Sequence, residues 1–204
     1  MNQWTGTLTL PKSASDERVR QVTIATAKLL AALGIEQTEA TQNTPQRMAR
    51  MYVEEVFAGL YEERPEMTTF TEAGVDALYT VGPLSVRSTC AHHFAPILGR
   101  AWVGVLPDGK LLGLSKFARL SRWVMARPHT QETATQMLAN ELQAATGAKG
   151  IGVVVQATHL CMTWRGVKEH DATMVTSVVL GTLLDTPSAR AEFFALVAAQ
   201  GFGK

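Results

Sequence analysis

Between Tyr79 and Leu180 the chain runs through two strand-like segments, two helical ones and two more strand-like segments. This order constrains the fold more than any other feature, because paired strands form a sheet and the helices between them need a face to cover. Tyr79 to Thr89 and Ile97 to Leu106 read as the first strands, the second closed by the turn Pro107-Asp108-Gly109-Lys110. Gly150 to Ala157 holds the β-branched residues Ile151, Val153, Val154 and Val155 and reads as a buried strand, and Thr173 to Leu180 reads as another. Between the pairs, Ser115 caps a predicted helix that runs through Ala126 and ends at Pro128. A second helix fits Thr130 to Ala145. The pattern predicts an α+β fold with helices packed on one face of the sheet.

Upstream, residues 1–13 read as a loose lead-in. A helix is expected from Ser15 to about Leu33, with Val19, Val22, Leu29, Leu30 and Leu33 at helical spacing and Gly34 as its stop. Thr44-Pro45 starts a second helix, expected to reach Leu60 with Met48, Met51, Tyr52, Val56 and Leu60 on its apolar face. Residues 61–77 read as an irregular connection. Thr186-Pro187 opens a last helix to about Ala199. The chain has 204 residues, 46% of them apolar, which is ordinary globular material able to bury a core. Its net charge is +1 without a run of Lys or Arg, which argues against general binding to nucleic acid or an anionic membrane. The first residues lack the charged and apolar regions of a signal peptide, and no apolar stretch nears the roughly 20 residues that span a bilayer. With two cysteines, the chain suits a reducing compartment, and a cytoplasmic protein is expected.

Those two cysteines carry the chemistry. Cys90 lies in Ser88-Thr89-Cys90-Ala91-His92-His93 and Cys161 in His159-Leu160-Cys161-Met162, so three of the five histidines stand within three residues of a thiol. Thiolate and imidazole are preferred zinc ligands, and two Cys with one His leave a fourth position open, as in catalytic zinc sites. The plainer alternatives are a disulfide or two inert thiols. Strand alternation would pair Cys90 with His92, whereas a tight turn at Ala91 would bring His93 into reach; spacing leaves both open. If the chain stays extended, His159 and Cys161 face the same way.

Gly113-Leu114-Ser115-Lys116 places a glycine turn, a hydroxyl and a cation at a helix start, a candidate anion site. Arg165 adds a cation just after Cys161. Gln131-Glu132 opens the next helix, where an acidic residue ordinarily answers the helix dipole.

Taken together, Ser88-Thr89-Cys90-x-His92-His93, Gly113-Leu114-Ser115-Lys116, Arg127-Pro128-x-x-Gln131-Glu132 and His159-x-Cys161-Met162-x-x-Arg165-Gly166-Val167 resemble the motifs of the GTP cyclohydrolase I family, in that family's order. Thr44 to Tyr52 and Thr173 to Phe194 are similar as well, so the likeness spans roughly residues 15–200. The resemblance implies a tunnelling fold: an antiparallel four-stranded sheet with helices on one face, preceded by an N-terminal helical arm. The arm would cover residues 1–77 and the catalytic domain 78–204. It implies conversion of GTP and water to 7,8-dihydroneopterin triphosphate and formate, feeding tetrahydrofolate or 7-deazaguanine synthesis, in a homodecamer of two pentamers with sites between subunits. By the same resemblance Cys90, His93 and Cys161 would bind Zn²⁺, and His159 would move protons around the opening imidazole ring. His92 with Ser115 would serve the later ribose rearrangement. Glu132 would accept hydrogen bonds from the guanine N1–H and 2-amino group, with Gln131 near the base and Leu114 beside the nucleotide. Arg47, Lys116, Arg119 and Arg165 would surround the triphosphate. The chain departs from the family at Ala91, usually Glu, at His129, usually Gln, and at Thr133, usually Arg. Ala91 leaves open a shifted pterin or purine substrate, or an oligomer that binds GTP without turning it over.

Overall fold

The computed structural model describes residues 14–72 and 74–203. The lead-in expected over 1–13 lies outside the described residues. The chain divides into two compact units, Met1–Tyr61 and Glu62–Lys204.

In the first unit, α1 (Ala14–Ala32) matches the predicted helix and gives way at Gly34, whose φ of 73° lies in the left-handed region that glycine enters freely. Helix α2 (Thr44–Arg50) has proline in its first turn, but it ends ten residues before the expected stop at Leu60. A π-helical turn, Met51–Val56, takes over, followed by a 3₁₀ turn, Ala58–Leu60. The buried face is also one residue round from the expected one. Pro45, Ala49, Val53 and Phe57 are buried, while Met51 and Leu60 stay exposed.

The second unit holds the predicted sheet with additions. Strands β1 (Thr69–Thr71), β2 (Tyr79–Cys90), β3 (Pro96–Leu106), β4 (Lys110–Leu112), β5 (Pro128–His129), β6 (Gly150–His159) and β7 (Met174–Gly181) form two sheets. The larger runs β5-β2-β3-β6-β7, antiparallel except where β5 joins β2 in parallel through Thr89↔Pro128 and Cys90↔His129. The expected four-stranded sheet therefore carries a fifth, two-residue strand. The connection over 61–77 is likewise not wholly irregular, since β1 pairs with β4. Strands this short offer no alternation to read in a sequence. Gly82-Pro83 interrupts β2 with a register shift between Val81 and Leu84, as suits a residue without an N–H for the ladder.

Helices α3 (Leu114–Met125) and α4 (Gln131–Thr146) cover one face of the sheet. Phe117, Leu120, Val124, Leu138 and Leu142 meet Ala101, Val103, Val105, Ile151, Val153 and Val155 there. Helix α3 starts at Leu114 with Gly113 in the cap position, so Ser115 is not its cap. Thr130 does cap α4, its hydroxyl accepting from Thr133 N at 3.2 Å.

The short helices α5 (Leu160–Thr163) and α6 (Thr182–Asp185) precede α7 (Pro187–Ala199), which corrects the expectation of helices on one face only. Trp102 and Val154 alternate with the residues of the first core and so point the other way, where Leu183, Phe193 and Val197 of α6 and α7 cover them. Phe193 lies in a notch of two glycines. A Cβ on Gly104 would stand 2.4 Å from its ring, and one on Gly152 2.6 Å. Because Phe193 is wholly buried, Gly152→Ala is expected to cost about 1–3 kcal/mol, as overfilling a packed core does. Urea unfolding checks this: the midpoint should fall at constant slope. An unshifted midpoint would mean that α7 yields freely.

Candidate metal centre and its surroundings

Strand β3 lies between β2 and β6, so Cys90 and Cys161 do not sit on neighbouring strands. They meet because β2 and β6 both end where β3 begins: Thr89 pairs with Pro96, and Ile97 with His159. Beyond Cys90 the chain turns back at once. Cys90 N donates to Ala95 O at 2.8 Å, Phe94 N donates to Cys90 O at 2.9 Å, and Phe94 takes a left-handed φ of 52°. The tight turn, not strand alternation, governs the loop, and it selects His93.

Across the gap, the strand stops at His159 and α5 begins at Leu160, so the extended spacing considered for His159 and Cys161 does not apply. A helical turn presents Cys161 instead. The Sγ atoms of Cys90 and Cys161 and a ring nitrogen of His93 all lie within 4.8 Å of one another. Neither cysteine is in a disulfide. Tetrahedral zinc with Zn–S of about 2.3 Å and Zn–N of about 2.0–2.1 Å sets its ligands roughly 3.5–3.8 Å apart, so this group could bind a metal after a small contraction. Burial raises the Cys161 thiol above its ordinary value, and the adjacent Cys90 thiol adds to the rise. The Arg165 charge works the other way. A divalent cation held between Cys90 and Cys161 would reverse the balance by taking both sulfurs as thiolates.

His92 stays beside the cluster, its Nδ1 3.9 Å from Cys90 Sγ and its ring 6.4 Å from that of His93. His159 ends β6 half-buried, and its Nε2 lies 2.8 Å from Gln131 Oε1. Burial lowers its affinity for a proton, and the Glu132 charge partly offsets that. Gln131 itself is buried, its carboxamide turned inward, while Glu132 beside it in the first turn of α4 is exposed in the single chain.

Leu114, Ser115, Lys116 and Arg119 fall on the first two turns of α3, with Lys116 half-buried and the other three exposed. Arg165 follows α5 and is exposed; Arg47 belongs to α2 in the first unit. His129 is buried beside Cys90 in the ladder, with Nε2 2.9 Å from Val124 O. Burial holds it below the ordinary imidazole range. Its backbone C=O accepts from Ala91 N at 3.1 Å, so the loop is tied to β5 through the main chain, whatever the side chain at 91. Sequence reading missed Thr135 and Thr176, which hold Gln131. Nothing in the spacing of β7 signals a partner on α4.

The chain is similar to known proteins over most of its length. The model of the family described as GTP cyclohydrolase I matches residues 22–198. The GTP cyclohydrolase 1 of Streptomyces griseus is 41% identical over 180 residues, covering 86% of this chain and 89% of that protein. That of Halalkalibacterium halodurans is 41% identical over 184 residues, covering 89% and 96%. That of Coxiella burnetii is 36% identical over 172 residues, covering 83% and 93%.

Proposed function

The chain belongs to the GTP cyclohydrolase I family, and from that membership we propose that it opens GTP as a zinc enzyme, with Cys90, His93 and Cys161 as ligands. The products are 7,8-dihydroneopterin triphosphate and formate. The observation that carries the reading is the convergence of two thiols and one imidazole, from two separated segments, within 4.8 Å.

Zinc, when bound, supplies a nucleophile from water at neutral pH. The side chains do the rest. His159 takes the proton that the attacking water gives up at C8 of guanine and returns it to the departing ring nitrogen. His92, with Ser115, carries protons at the ribose in the later rearrangement. Glu132 accepts from the guanine N1–H and 2-amino group, a donor pair that adenine lacks. Lys116, Arg119, Arg165 and Arg47 neutralise the triphosphate, and Leu114 lies against the nucleotide. Residues 78–204 hold all of these groups except Arg47, which comes from the helical arm.

A homodecamer of two pentamers fits the outer edge of β7, which among the described residues has no strand beyond it, and the exposed Trp164, Val167 and Val175. Among the described residues no helix is long and apolar enough to cross a membrane. The near-neutral charge suits a cytoplasmic enzyme with a local basic pocket. Its product enters pterin synthesis, with tetrahydrofolate as the ordinary destination.

Incubating the metal-loaded protein with GTP tests the reading, by assay of formate and of the fluorescent pterin formed on oxidation. Both products are expected, and a chelator should abolish both. Formate without pterin would mean that the rearrangement at His92 and Ser115 has been lost. Neither product, with zinc bound, would overturn the reading in favour of another substrate or a binding role.

A further inference from the structure

The carboxamide of Gln131 has only one workable orientation. Its Nε2 has Val155 O, Met174 O and Thr176 Oγ1 each at 3.1 Å. Two of these are carbonyl oxygens, which only accept, so the NH₂ end must face them. A reversed amide would set oxygen against oxygen at a site only 3% exposed, where mismatched polar groups are costly.

Thr135 closes the arrangement. Its hydroxyl donates to Gln131 O at 2.7 Å and stands 2.7 Å from Thr176 Oγ1. With that proton committed, Thr176 donates to Thr135, and its own oxygen accepts from Gln131. The hydrogen bonds therefore run in one direction round the ring.

Gln131 Oε1 is left facing His159 Nε2 at 2.8 Å, and an amide oxygen only accepts, so Nε2 carries a hydrogen. From this we infer that Gln131 is a positioning residue that holds His159 in the Nε2–H tautomer, and that Nδ1 is the nitrogen that takes and returns the proton. The inference rests on His159 being the proton carrier of the proposed reaction. As the water oxygen bonds to C8, its proton passes to the Nδ1 lone pair. As the C8–N bond breaks, its electron pair leaves with the ring nitrogen, which receives that proton from Nδ1–H. His159 ends neutral, with Nε2–H never broken. While the ring is charged, its bond to Gln131 is the stronger, charge-assisted kind. This assignment replaces the contact with the base that resemblance alone suggests for Gln131.

Solid-state ¹⁵N NMR of the metal-loaded, histidine-labelled protein at mildly alkaline pH tests the tautomer, the His159 signals being those absent in His159→Asn. A protonated Nε2 and a bare Nδ1 are expected, and a bare Nε2 would overturn the inference. This readout needs no turnover, so it stands apart from whether GTP is consumed. In Gln131→Met both tautomers should appear, with zinc content kept, kcat down about 10- to 100-fold and KM for GTP nearly constant. A raised KM with kcat preserved would make Gln131 a substrate contact and defeat the proposal.

Discussion

Cys161→Ala is expected to strip the metal and the formate-releasing activity together. The two thiols and His93 are the only group of three or more His, Cys, Asp or Glu side chains among the described residues that could hold an ion. Removing one of three protein ligands leaves two, short of the three that catalytic zinc sites keep. Losing a partner that merely orients a ligand costs about 10- to 100-fold. Losing the ligand itself should cost more than that in kcat. Metal analysis of the purified variant and a formate assay at saturating GTP read both effects. Folding should survive, because Cys161 is only half-buried and lies on a four-residue helix outside the sheet. Turnover that persisted at zinc-free occupancy would sink the zinc mechanism, whatever the family.

Glu132→Gln should give the second large loss, and its signature is specificity. One carboxylate accepting from N1–H and from the 2-amino group makes two charge-assisted bonds, each contributing about 1.5–3 kcal/mol. The amide keeps one weak acceptor and presents a donor where another is needed. Steady-state kinetics should show kcat/KM for GTP down by about 10²- to 10⁴-fold. Inosine triphosphate, which keeps N1–H but lacks the 2-amino group, sharpens the measurement. The normal protein should prefer GTP over it by about 10- to 100-fold, and that preference should shrink in the variant. An undiminished preference would show that another group reads the 2-amino position. Glu132 also partly offsets the effect of burial on His159, so some of the loss should fall on kcat.

The long elements were legible because their signals are local. β-branched runs and cap-and-stop residues gave the strands and helices of the second unit to within a residue or two. The second face of the sheet was written in the sequence as well. Ile151 to Val155 is apolar at every position, as in a strand covered on both sides, and an alternating strand would have meant one covered face. The π-helical turn after Arg50 has no such signature, since Met51 to Val56 would pass for ordinary helix. Cys90, Cys161 and the histidines announced a candidate metal centre by composition. It is His93, not His92, that joins the two thiols within 4.8 Å, brought there by a turn whose hydrogen bonds run from Cys90 to Ala95 and from Ala91 to His129, across segments that spacing does not connect. Gln131 is the harder case. Its partners lie on β6 and β7, so only the folded chain shows that a residue resembling a substrate contact faces inward.

Strand β6 is laddered to β3 along its whole length and to β7 along most of it, and His159 is its last residue. To displace that histidine, the chain must break the ladder on its β3 side and the carboxamide clasp as well. The start of α3 and the segment after α5 are free of that double constraint, and local opening begins in such places. His159 is thus fixed while those outlying segments can be reshaped. Altered substrate preference in a chain of this kind should therefore accumulate in those loops long before it reaches the end of β6.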